Sequence, residues 1–80
     1  MSVKFRFFSR CAEWMGVRDL VMEIGAPRSI LAVIEGEARF LPMRGKQLEI
    51  RVAVNREWAS LSTEVMDGDE VALVPPTSGG

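Results

Sequence analysis

A chain of 80 residues, 48% hydrophobic and 26% charged, has material for one small core and one domain. Ten Lys and Arg against eleven Asp and Glu leave a net charge of -1 with no basic run, which argues against nucleic acid as the main partner, and no apolar stretch is long enough for a membrane span or a secretory signal. With no His, one Cys and scattered glycines, the chain lacks the parts of a Ser-His or Cys-His nucleophile, a zinc cage or a phosphate-cradling loop, so its chemistry is expected to come from elsewhere.

Val3, Phe5 and Phe7 alternate with Lys4, Arg6 and Phe8, a period of two that predicts a first strand from Val3 to Phe8. Ala12 to Met15 fit one helical turn, closed by Gly16 in the left-handed conformation. Leu20, Met22 and Ile24 share a face of a second strand, Leu20 to Ile24, antiparallel to the first. Gly25 and Pro27 break it, and Pro27 suits the first turn of the main helix. In that helix Ile30, Leu31, Val33, Ile34 and Ala38 form the apolar side, Arg28, Glu35 and Glu37 face water, and Gly36 brings an early end.

Pro42 and Gly45 mark a loop. Beyond it Leu48, Ile50, Val52 and Val54 alternate with Glu49, Arg51, Ala53 and Asn55 as a long strand. Asn55, Arg56 and Glu57 turn the chain into Trp58, and Asp67, Gly68 and Asp69 turn it into a final strand, Glu70 to Val74, which Pro75 and Pro76 terminate. Two strands, a helix and then further strands describe an α+β sheet wrapped on one helix, with the first and last strands placed in parallel at its centre.

The lone Cys11 cannot close an internal disulfide, which suits a reducing, cytoplasmic setting, and it reads as a buried structural thiol. The last six residues, Pro75-Pro76-Thr77-Ser78-Gly79-Gly80, offer nothing apolar to anchor them on the core. They are expected to project as a tail, residues 75–80 beyond a folded body of residues 1–74. Fully extended, such a tail reaches about 20 Å, stiffened at its base by the prolines, and two residues without side chains let a terminal carboxylate thread a narrow channel.

Val3-Lys4-Phe5-Arg6-Phe7-Phe8, Val54-Asn55-Arg56-Glu57, Asp67-Gly68-Asp69-Glu70-Val71-Ala72 and the Pro-Pro-Thr-Ser-Gly-Gly end together resemble the ubiquitin-like sulfur carriers of the β-grasp fold. The double proline favours the molybdopterin synthase small-subunit branch over the thiamin-pathway carriers. The resemblance implies a mixed sheet of four to five strands on one main helix.

It also implies a chemistry. An E1-like adenylating enzyme would use ATP to join the Gly80 carboxylate to AMP, and sulfur from a donor protein would replace the AMP to give a thiocarboxylate. The tail, Pro75 to Gly80, would then thread into the large synthase subunit, in a heterotetramer of two small and two large chains, and donate sulfur to a pterin precursor. No cofactor or metal would be bound by this chain itself.

Strand parity leaves Phe8 on the wet face with Lys4 and Arg6, and Ala72 and Val74 outward while Val71 and Leu73 point in. By resemblance Phe8, Trp58 and Val74 match the hydrophobic patch such carriers present to their partners. Lys4, Arg6 and Arg51 read as solvated surface, and Asp67-Gly68-Asp69-Glu70 as turn geometry. Two other readings share the activation step: a ubiquitin-like modifier conjugated to lysines, and a carrier serving thiamin synthesis or tRNA thiolation. A plain interaction domain would undergo no terminal chemistry at all.

Overall fold

The alternation of Val3, Phe5 and Phe7 with Lys4 and Arg6 is realised as β1, Ser2–Phe7, in the computed structural model, which describes residues 1–76. Thr77, Ser78, Gly79 and Gly80 lie outside the described residues, and so do the expectations placed on them. Phe8 falls one residue past the strand rather than closing it. At Ser9 the backbone swings to φ 50 and enters α1, Arg10–Met15. Gly16 ends this helix at φ 77, its N–H reaching the Ala12 carbonyl, the left-handed cap that glycine adopts without steric cost.

β2, Asp19–Glu23, returns antiparallel to β1, with Leu20 opposite Phe5 and Met22 opposite Val3. The next segment departs from the sequence reading. Pro27 is not in a helical first turn: Arg28–Ser29 is a short extended β3, and α2 runs Ile30–Gly36. The Ser29 hydroxyl accepts a 3.0 Å bond from the Ala32 N–H, satisfying a helix-start donor that proline cannot serve. Ile30, Val33 and Ile34 are buried as expected, whereas Ala38 lies outside the helix and is exposed.

Gly36 is the last residue of α2, in line with the early end its low propensity predicts. Arg28 and Glu37 are only partly open to water. They form a half-buried ion pair at 2.6 Å, and Arg28 also donates to the Ala32 carbonyl. Arg44 donates to the carbonyls of Ile34 and Glu37, groups that a helix end leaves without intrahelical partners.

The presumed loop around Pro42 is a tight 3-10 turn, Ala38–Met43, that drives Phe40 and Met43 fully into the core. Phe40 meets Phe5 and Phe7 edge-on, with ring centres 4.9 and 5.9 Å apart. The long strand from Leu48 is also corrected. Gln47–Glu49 is another 3-10 turn, Leu48 is 100% exposed, and β4 is confined to Arg51–Val54. Period-two alternation was accidental over Leu48 to Ile50, because no neighbouring strand pairs with those residues.

β5 is Glu57–Ala59, β6 is Glu64–Val65, and β7 is Glu70–Val74. The main sheet has the order β2-β1-β7-β4-β5, with β1 and β7 parallel at its centre and the other neighbours antiparallel. β3 and β6 pair separately, tying the start of α2 to the loop before β7. One face of the main sheet buries Val3, Phe5, Phe7, Val52, Val71 and Leu73 with α2 and the Phe40 turn. Each such large side chain contributes about 1.5–3 kcal/mol on burial, which is how so short a chain sustains a fold.

Candidate docking face

Residues paired across strands point to the same side of a sheet, so the registers define the outer face directly. Arg6 lies opposite Ala72, Ala72 opposite Ala53, and Ala53 opposite Trp58, one row crossing four strands. In the adjacent row, nearer the end of β7, Val74 lies opposite Arg51. Phe8 extends the same row, because its N–H donates to the Leu73 carbonyl at 3.1 Å.

The three patch residues read from the sequence therefore share one face. Phe8 and Val74 are neighbours, while Trp58 stands two strands beyond Val74, with Arg51 on the strand between them. Phe8 is 42% and Trp58 60% exposed, and Val74 is half-buried. Val21, on β2 opposite Lys4, adds an exposed side chain to this face that the sequence reading did not single out. Its signal was present, since the parity that buries Leu20 and Met22 sends Val21 outward.

The cations of this face are not simply solvated. The Arg51 guanidinium sits 4.1 Å from the centre of the Trp58 ring, and that of Arg6 lies 5.6 Å from the centre of Phe8. Each contact is worth about 0.5–1 kcal/mol at an exposed site. Among the described residues the ion pairs are Met1–Glu23 and Arg28–Glu37, so neither Arg6 nor Arg51 is neutralised by a carboxylate, although Asp19 is the cross-strand neighbour of Arg6.

Trp58 owes its position to the turn before it. Asn55 at φ 51 and Arg56 at φ 72 form a two-residue hairpin turn with both residues left-handed, the twist that suits antiparallel strands. The Asn55 side chain accepts from the Glu70 N–H at 2.9 Å and donates to Asp69 at 3.0 Å, while its N–H donates to the Glu70 carbonyl. This locks the turn to the start of β7.

The acidic cluster is spent on geometry, as its sequence suggested. Asp67 accepts from the Ser2 N–H at 2.7 Å, Asp69 from the Met66 N–H at 2.8 Å, and Gly68 turns at φ 87. Cys11 is fully buried, and desolvation pushes its thiol up to about 11. It is an inert core group rather than a nucleophile. Among the described residues no cluster of His, Cys, Asp or Glu could hold a metal ion, and no helix is long and apolar enough to cross a membrane.

Pro75 is half-buried and Pro76 exposed just past the end of β7, whose last residue, Val74, lies between Phe8 on one side and Arg51 on the other. A mixed sheet with β1 and its last strand, β7, parallel at its centre, folded over α2, defines a ubiquitin-like β-grasp protein. The ThiS family matches residues 6–80, and the chain belongs to that family. A human relative, the molybdopterin synthase sulfur carrier subunit, is 32% identical over 84 residues, spanning 98% of this chain and 93% of the relative. Crystalline SAMP1 from Haloferax volcanii superimposes with a TM-score of 0.82 at 25% identity over the whole of both chains. The same fold recurs, with a TM-score of 0.65 at 21% identity and full coverage of both chains, in a complex of subunits 1 and 2 of the Helicobacter pylori molybdopterin-converting factor.

Proposed function

We propose that this chain is the sulfur-carrying small subunit of a molybdopterin synthase. The observation that carries the reading is likeness to a human sulfur carrier subunit along almost the whole chain, joined to a family match that reaches Gly80. The geometry supports it: Pro75 and Pro76 follow directly on the end of β7, beside an exposed face with aromatic and cationic side chains.

A carboxylate is a poor acyl donor, so the Gly80 carboxylate is first joined to AMP by an E1-like adenylating enzyme, which consumes ATP and releases pyrophosphate. Sulfide-level sulfur from a donor protein then attacks the acyl carbon, and AMP leaves with the C–O electron pair. The thiocarboxylate so formed is inserted, through Pro75, Pro76, Thr77, Ser78 and Gly79, into the large subunit, where its sulfur attacks a pterin precursor. Proton transfers fall to the large subunit, since this chain has no His and its one thiol is buried. The body, residues 1–74, positions the tail of residues 75–80 and contributes the docking patch Phe8, Trp58 and Val74. The large subunit as partner is supported by the two-subunit complex of the Helicobacter pylori protein, and a cytoplasmic setting by the single buried thiol.

A second reading, a modifier conjugated to lysines, is favoured by the likeness to SAMP1, whose name expands to small archaeal modifier protein 1. Intact mass spectrometry of the protein purified from its host separates the two. A species heavier by the exchange of one terminal oxygen for sulfur is expected for the carrier, and lysine-linked adducts for the modifier. An unaltered terminus in a host actively making the cofactor would count against both.

A further inference from the structure

Two aromatic rings on the outer face each carry a guanidinium, Arg6 on Phe8 and Arg51 on Trp58. Between them the row Arg6–Ala72–Ala53–Trp58 has two alanines at its centre, so the middle of the face is a shallow floor with a raised cationic aromatic on each side. Three strand spacings separate the ends of this row, roughly 14 Å. The tail leaves from the same end of the sheet, because Val74 lies next to Phe8 and opposite Arg51.

We propose that this face selects an acid-flanked partner surface: an apolar ridge rests on Ala53 and Ala72, and a carboxylate on each side of the ridge pairs with Arg6 and Arg51. The inference rests on the reading that the tail enters a partner, because only then must a protein surface close over Val74. The occupant is that same partner, the large synthase subunit, and charge complementarity is the reason. Among the described residues Arg6 and Arg51 make no ion pair, although Asp19 lies opposite Arg6 and, one row further back, Glu70 lies opposite Lys4. The contacts also bias the two guanidiniums toward the rings before the partner arrives, which trims the rotamer freedom lost on docking. Arginine suits this task better than lysine, because its planar group can stack on a ring and still present a fork to a carboxylate.

The test pairs this chain with the large synthase subunit of the same host and measures affinity at low and high salt for the parent, an Arg6→Glu/Arg51→Glu variant and an Arg6→Lys/Arg51→Lys variant. Charge reversal is expected to weaken binding by at least roughly tenfold at low salt, with the gap narrowing as salt rises, while the lysine pair, which keeps the charge but loses the stacked fork, falls between the parent and the reversed chain. Circular dichroism confirms the fold of each variant, and Arg6→Gln/Arg51→Gln replaces the reversal if glutamates disturb the sheet, with a smaller loss in the same direction. Binding of the reversed or neutralised chain within twofold of the parent at low salt overturns the proposal, as does a loss that salt leaves unchanged. If the parent itself neither binds the large subunit nor acquires terminal sulfur in its host, the carrier reading falls and the proposal with it. A parent that binds and is sulfurated while the variants match it defeats the proposal alone.

Discussion

Arg51 lies opposite Val74 in the register of β4 and β7 and holds its guanidinium 4.1 Å from the centre of the Trp58 ring, linking the last residue of the sheet before the tail to the largest exposed ring on the same face. Trp58 is 60% exposed, so its truncation removes little core. Trp58→Ala is expected to cost the fold under about 1 kcal/mol, chiefly the lost cation–π contact. Affinity for the large synthase subunit should fall by more than roughly tenfold, the scale of a buried aromatic anchor. Urea unfolding and titration calorimetry measure the two effects, and equal affinity of variant and parent would remove Trp58 from the docking face.

Asn55 combines a left-handed backbone with two side-chain bonds to the start of β7. Asn55→Ala forfeits both and strains the turn, for an expected loss of about 2 kcal/mol. Asn55→Gly forfeits the bonds but adopts the φ freely, so its loss should be about half as large. Denaturant midpoints of the two variants test this order, and a glycine variant less stable than the alanine one would contradict it.

Phe40 is fully buried with its ring against Phe5 and Phe7. Phe40→Ala is expected to destabilise the chain by about 3–5 kcal/mol, a large share of what a domain of this size possesses. Thermal unfolding of the variant is the check, and a loss under 1 kcal/mol, roughly the scale of a surface substitution, would place the ring outside the core.

Burial raises the Cys11 thiol from 9.0 to about 11, and the sign of the pH effect follows. Below pH 9 the thiol is neutral in both the folded and the unfolded chain, so its contribution is fully present. Between 9 and 11 the unfolded chain loses the proton while the folded chain keeps it, and stability falls by up to about 1.4 kcal/mol per pH unit. Cys11→Ala should therefore lose less stability across that window than the parent, as read by urea unfolding at a series of pH values. Thiol reagents should label the native chain only as fast as it opens.

Deleting Gly80 is expected to abolish sulfur transfer while the melting temperature stays that of the parent, because β7 ends at Val74 and the core is complete before the tail. Reconstitution with the adenylating enzyme, a sulfur donor and the large subunit measures the first effect. Undiminished transfer by the shortened chain would refute the role given to the terminal residue.

The parallel pairing of first and last strands was a guess at topology that the structure bears out, whereas strand alternation made β1, β2 and β7 readable in the linear chain, along with the outward side of Phe8 and Val74. Those features follow from local periodicity and from positions where glycine or proline stops a strand. The same rule misled at Leu48, because alternation predicts a strand only where a neighbour supplies hydrogen bonds, and that depends on distant residues. Pro27 misled likewise, since whether Arg28 and Ser29 extend into a strand depends on Glu64 and Val65.

The amino-acid order by itself determined that this protein has one small core, no His with which a Ser or Cys could form a nucleophile pair, and a last strand whose end is set by Pro75 and Pro76. Only the tertiary structure decided what surrounds the root of that end. Arg6 and Arg51 read as ordinary surface charges in sequence, and it is the pairing of strands remote along the chain that seats Arg51 on Trp58 and aligns both cations across an alanine floor. Registers between distant strands are long-range facts, and no local pattern encodes them.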